Sequence, residues 1–241
     1  MGSEAADVPA PSARRDLTDI LVPVVAVLVA VVATAASPDP VAEPFTPSVF
    51  PLATQRLLAV WIPLLVAGAW LLRGRRFRSA LRGLRIGFPE VVAALAAVVL
   101  CRVVEAASQV LLGDPPEMVL AFVPSRAELA VLAAVGLLAF VLGPLLVTTM
   151  VHGVLQRRLA ALLSRRLRVL TVVVPALLVV VLEVGTAWIA GIAPAASGAV
   201  VTAAVLALLA GMLAAVTGRI GVSAATYLLW NVTCVFQVPF A

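Results

Sequence analysis

Residues 143–159 read GPLLVTTMVHGVLQRRL: an apolar segment that passes the chain's only histidine, His152, reaches Gly153, and turns basic at Arg157 and Arg158. The apolar run extends upstream to about Glu128, so the composition predicts a membrane-spanning helix over 128–151. Glycine costs a helix about 1 kcal/mol relative to alanine and arginines stay near water, so this helix is expected to stop near Gly153. Beyond it, QRRLAALLSRRLR carries Arg157, Arg158, Arg165, Arg166 and Arg168 and reads as a short amphipathic helix on the cytoplasmic surface.

The rest of the chain has the same character. Of 241 residues, 63% are hydrophobic and 12% charged, with a mean hydropathy of +1.15. A soluble domain needs more polar surface than that, so the fold class expected is all-α, a polytopic transmembrane helix bundle. The net charge of +5 comes from arginines that cluster at the ends of apolar segments. Such placement reports membrane topology, so membrane lipid is an expected partner and nucleic acid is not. A single histidine excludes a His-rich metal centre within one chain, and Cys101 and Cys234 lack metal-ligand spacing. No metal or cofactor is expected, and the two thiols read as buried.

Seven apolar segments follow one another. A small, polar tail over 1–16 precedes the first span, 17–36, which is long enough to cross about 30 Å of hydrocarbon. That segment ends in ATAAS, a pattern compatible with signal cleavage, but its length and the spans that follow favour an uncleaved helix. A Pro-rich connection over 37–54 leads to the second span, 57–72. Arg73, Arg75, Arg76, Arg78, Arg82 and Arg85 then mark a cytoplasmic segment. The third span, 91–112, carries Arg102 and Glu105 one helical turn apart, a spacing that predicts an intramembrane ion pair. An acidic, Pro-rich connection, GDPPEMVLAFVPS, leads into the fourth span. The fifth covers 169–190, interrupted at Pro175 and holding Glu183; the sixth covers 199–216 and the seventh 220–238. Alternating spans put fourteen of the 17 arginines on one side, which predicts a cytoplasmic amino terminus. Three N-terminal spans (17–127) and a four-span core (128–241) are the expected units.

Three fragments of the core carry a resemblance. Pro144 and Gly153 keep the frame A-P-x-x-E-E-x-x-x-R-G followed by a basic helix. VVVLEVG aligns with F-x-x-x-H, and TGRIGVSAATYLLWN aligns without a gap with T-G-s-l-x-x-x-i-l-x-H-x-x-x-N, keeping Thr217, Gly218 and Asn231. In their order and spacing these fragments resemble the CPBP family, the CAAX-protease and bacteriocin-processing intramembrane endopeptidases. The resemblance implies a bacterial cell-membrane protein in which a glutamate of the paired motif activates water against a peptide bond, helped by histidines and an asparagine. Here the paired acidic positions fall on Val147 and Thr148, the arginine on His152, the aromatic on Val179, and the two histidines on Glu183 and Tyr227.

Valine takes no proton and threonine is a poor base, and cooperating catalytic groups fail together. The expectation is therefore a catalytically inactive homologue whose polar cavity binds a peptide or a partner membrane protein. Two other readings stay open. A rewired endopeptidase would use Glu183 as base with His152 and Asn231 as partners. A small permease or transporter subunit would have Arg102, Glu105 and Glu183 converging on one water-filled path. Each polar residue also has a quieter role: His152 bonded to backbone at the interface, and Glu183 paired with Arg102 or bonded to Tyr227 or Asn231.

Overall fold

The structure, a computed structural model, describes residues 13–37, 49–73, 83–112, 137–189 and 197–236. Within them lie seven helices and no strand. They are α1 (Ala13–Ala35), α2 (Val49–Leu72), α3 (Phe88–Leu112), α4 (138–162), α5 (Leu170–Ile189), α6 (Ser197–Thr217) and α7 (Ile220–Phe236). Five apolar stretches, in α1, α3, α4, α5 and α6, are long enough to cross a membrane, and shorter apolar segments lie in α2 and α7. The sequence placed residues 13–16 in an unstructured tail, but α1 already includes them. Residues 1–12, most of the Pro-rich connection, Arg75, Arg76, Arg78 and Arg82, and the segment 113–136 lie outside the described residues.

Surface composition accounts for the bundle's surroundings. Phe88, Val110, Leu111 and Val216 are each more than four-fifths exposed, and apolar side chains such as Leu28, Val32, Val66 and Leu177 also face outwards. At about 25 cal/mol per Å2 in water, such a surface suits lipid contact instead. Inside, the stripe Ala94, Ala97, Cys101 on α3 and the stripe Ala207, Ala210, Ala214 on α6 are buried between packed helices. Small side chains let backbones approach closely where lipid removes the hydrophobic drive between helices.

The helix α4 is the axis. About two-thirds of its apolar window, 67%, is buried, against 28–33% in the other four candidate spans. It contacts α1, α2, α5 and α7. It is also irregular: two α-helical segments, Gly143–Thr148 and Gln156–Leu162, alternate with wider π-helical turns at Leu138–Leu142 and Thr149–Leu155.

Two sequence expectations change here. The helix does not stop at Gly153 but passes through it, buried, and ends at Leu162. No separate amphipathic helix follows; Arg157 and Arg158 sit on the final turns of α4, and only a 3-10 turn, Arg165–Leu167, precedes α5. Tertiary packing on several sides outweighs the modest helix cost of one glycine. Likewise α5 runs unbroken through Pro175, because the bonds a proline removes can be made good by packed neighbours.

One end of the bundle gathers several of the described basic groups. The Arg157 guanidinium donates to the Gly218 carbonyl at 3.0 Å, and Arg219 pairs with Glu90 at 2.5 Å, tying the end of α4, the α6–α7 turn and the start of α3 together. Gly221 sits so close to the segment before α3 that an added Cβ would strike the Arg85 carbonyl, and its amide donates to Gly83 at 3.2 Å. This end therefore also holds Arg85.

Candidate functional site

The first turn of α4 explains one polar contact. Proline has no N–H, so Pro144 leaves one backbone bond unmade where the π-helical turn Leu138–Leu142 meets the α-helical segment. Asn231 of α7 donates beside it, from its amide Nδ2 to the Phe140 oxygen at 3.1 Å. This bond ties α7 to α4 next to Gly143. Gly143 lets α2 approach closely, since a Cβ there would meet the Trp61 ring unless that ring moved.

Between these elements lies a cavity of about 190 Å3, lined by Trp61, Pro144, Val147, Glu183, Tyr227 and Asn231 among others. Of the residues proposed from sequence, the structure thus brings Val147, Glu183, Tyr227 and Asn231 around one space. Among the described residues, the half-buried Glu183 is the sole carboxylate lining it. The Tyr227 hydroxyl and Trp61 Nε1 are buried without hydrogen-bond partners. Two donors therefore have unused capacity beside this cavity. Thr148 does not line it; that side chain is fully buried and its hydroxyl also lacks a partner.

His152 is elsewhere. The π-helical turn Thr149–Leu155 carries it inward, where it is 1% exposed, into a second cavity of about 380 Å3 at the basic end. Its Nδ1 lies 2.8 Å from Gln156 Oε1, and Gln156 Nε2 donates to the Gly211 carbonyl at 2.8 Å. The Gln156 amide is oriented by that second bond, which makes Oε1 an acceptor and Nδ1 the protonated ring nitrogen. His152 Nε2 is then an acceptor, and it has no partner. The His152 and Tyr227 rings stack with centroids 6.3 Å apart and planes at 22°, so one ring from each cavity forms the partition between them.

This geometry separates the proposed pair of Glu183 and His152: they line different cavities. It also removes one expected contact. Glu183 does not bond the Tyr227 hydroxyl, which has no hydrogen-bond partner. Arg102 is engaged by α3 and α7. Arg102 Nη1 meets Glu105 at 2.5 Å, its Nε and Nη2 donate to Thr233 Oγ1 at 3.1 and 2.6 Å, and its guanidinium lies 3.9 Å from the Trp230 ring centroid. The α3–α7 charge is thus satisfied within its own clamp. Neither Arg102 nor Glu105 lines the Glu183 cavity.

Sequence reasoning did not find Trp61, Gln156, or the Glu90–Arg219 bridge. Gln156 carried a weak signal, a neutral polar residue four positions after the histidine. Trp61, far away in sequence on α2, carried none. No protein-family model, curated protein or solved structure matches the chain.

Proposed function

We infer that the protein is a non-catalytic binding protein of the membrane, with a CPBP-like arrangement of spans and a cytoplasmic amino terminus, and that it receives a peptide or a partner helix in the Glu183 cavity. The observation that carries this reading is the shared cavity, in which Val147 occupies the position of the family's water-activating glutamate. Hydrolysis of an amide needs a base and a polarising donor on the same reacting atom. Glu183 has Tyr227 and Trp61 near it but no second acid, and His152 lies behind the ring partition. The same groups suit binding. Tyr227 and Trp61 offer donors to a carbonyl oxygen, and the Glu183 carboxyl offers an acceptor to an N–H or ammonium group. A cavity of this size takes one polar side chain or a single exposed turn of backbone.

The test has two arms. The protein reconstituted in vesicles should leave membrane and soluble peptides intact; cleavage that disappears in Glu183→Gln would replace this reading with that of a rewired endopeptidase. A photo-crosslinking residue placed at Val60, on the cavity wall, should give discrete peptide or protein adducts in native membranes, weakened by Glu183→Gln with Tyr227→Phe. Adducts to lipid alone would sink the binding role.

A further inference from the structure

The second cavity has chemistry of its own. Arg157 and Arg168, both exposed, stand at its rim, and His152, Gln156 and Thr171 form its buried wall. Among the described residues, no carboxylate lines it. Its volume of about 380 Å3 falls at the small end of the roughly 300–1,000 Å3 typical of small-molecule sites. Two helices, α5 and α7, begin at its edge. Their first amides are partly committed already, Thr171 to Arg168 and Gly221 to Gly83, so they add positive field more than free donors.

Two features set the ligand. Two guanidinium groups with no carboxylate opposing them among the described lining residues select an anion, and guanidinium is suited to the paired oxygens of a phosphate. The deeper wall has different needs. With Nδ1 committed to Gln156, His152 Nε2 is a buried acceptor without a donor. A phosphate oxygen cannot satisfy it, whereas a hydroxyl can. We propose that this cavity binds a phosphate group carrying a neighbouring hydroxyl, a phosphoglycerol or similar polyol phosphate, with the phosphate on Arg157 and Arg168 and the hydroxyl donating to His152 Nε2. The cavity lies at the basic end of the bundle, where lipid headgroups reside, so the source is either a phosphatidylglycerol headgroup or soluble glycerol phosphate. The proposal is independent of what enters the Glu183 cavity.

The experiment uses the full chain, stripped of lipid in a neutral detergent and titrated separately with short-chain phosphatidylglycerol, phosphatidylethanol and glycerol 3-phosphate, with binding read by native mass spectrometry and thermal melting. Phosphatidylethanol has the same phosphodiester charge but no hydroxyl. Arg157→Gln with Arg168→Gln should weaken phosphatidylglycerol roughly 30-fold, from two interfacial charges removed. Arg165→Gln with Arg166→Gln, equal in charge but outside the cavity, should do far less. Wild-type protein should prefer phosphatidylglycerol to phosphatidylethanol about fivefold. His152→Phe, which keeps the ring against Tyr227, should abolish that preference. Retention of glycerol 3-phosphate alone identifies a soluble ligand, and retention of the lipid alone identifies a headgroup; either supports the site. Equal losses in the two arginine pairs, no binding of any probe, or a lipid preference unchanged in His152→Phe would overturn it.

Discussion

The two cavities meet at a single pair of stacked rings yet are built on opposite principles. The one around Glu183 is walled by side chains whose hydrogen-bonding capacity is partly unspent, and its polar residues come from α2, α5 and α7. The one around His152 is a relay in which α4 reaches α6: His152 holds Gln156, and Gln156 holds the Gly211 backbone. The first has donors to spare, the Tyr227 hydroxyl and Trp61 Nε1. The second cannot lose its glutamine without leaving the His152 Nδ1 bare and cutting the tie from α4 to α6. Adjacent polar spaces in one bundle thus differ in kind, one with unspent donors and the other held together by its own bonds.

Four substitutions would test that division. The largest effect is expected from Gly221→Ala, which puts a methyl on the Arg85 carbonyl at the basic end. A loss of about 4 kcal/mol, at the severe end for single changes, should appear in detergent melting, while the Glu183 side keeps its local structure by hydrogen exchange. Gln156→Leu should follow at about 1–3 kcal/mol, since the buried His152 ring nitrogen loses its partner and the tie from α4 to the Gly211 backbone is cut. If it melts like wild type, the relay is not structural.

Asn231→Leu removes the side-chain bond to the Phe140 carbonyl and should cost about 1–2 kcal/mol. The sharper measurement is the double-mutant cycle with Pro144→Leu, which restores an N–H to α4. The Asn231 cost should then shrink by about 1 kcal/mol, and strict additivity would disprove the assignment. The mildest change is Gly143→Ala, about 1 kcal/mol, because the Trp61 ring can tip into the adjacent cavity. Altered tryptophan fluorescence with unchanged lipid binding is the expected signature; a shift in both would mean that the cavities are coupled.

The seven apolar segments could be read directly from hydropathy, because length and composition alone decide what crosses hydrocarbon. The reading failed at Gly153 and Pro175, where local helix-breaking tendencies lose to packing on several sides. In the site, the order of motif positions anticipated that Val147, Glu183, Tyr227 and Asn231 could share a space. It could not anticipate that His152, five positions after Val147, opens on another cavity. That outcome depends on π-helical turns, which alter the phase of the helix and leave no mark in hydropathy. Arg102 was legible as half of an ion pair with Glu105, but its contacts with Thr233 and Trp230 required the approach of α7.

The bond from Asn231 to the Phe140 carbonyl joins residues 91 positions apart. That tie can form only after the chain has been made as far as α7, so the level of the bundle around Gly143 closes late, after α4, α5 and α6 are already in place.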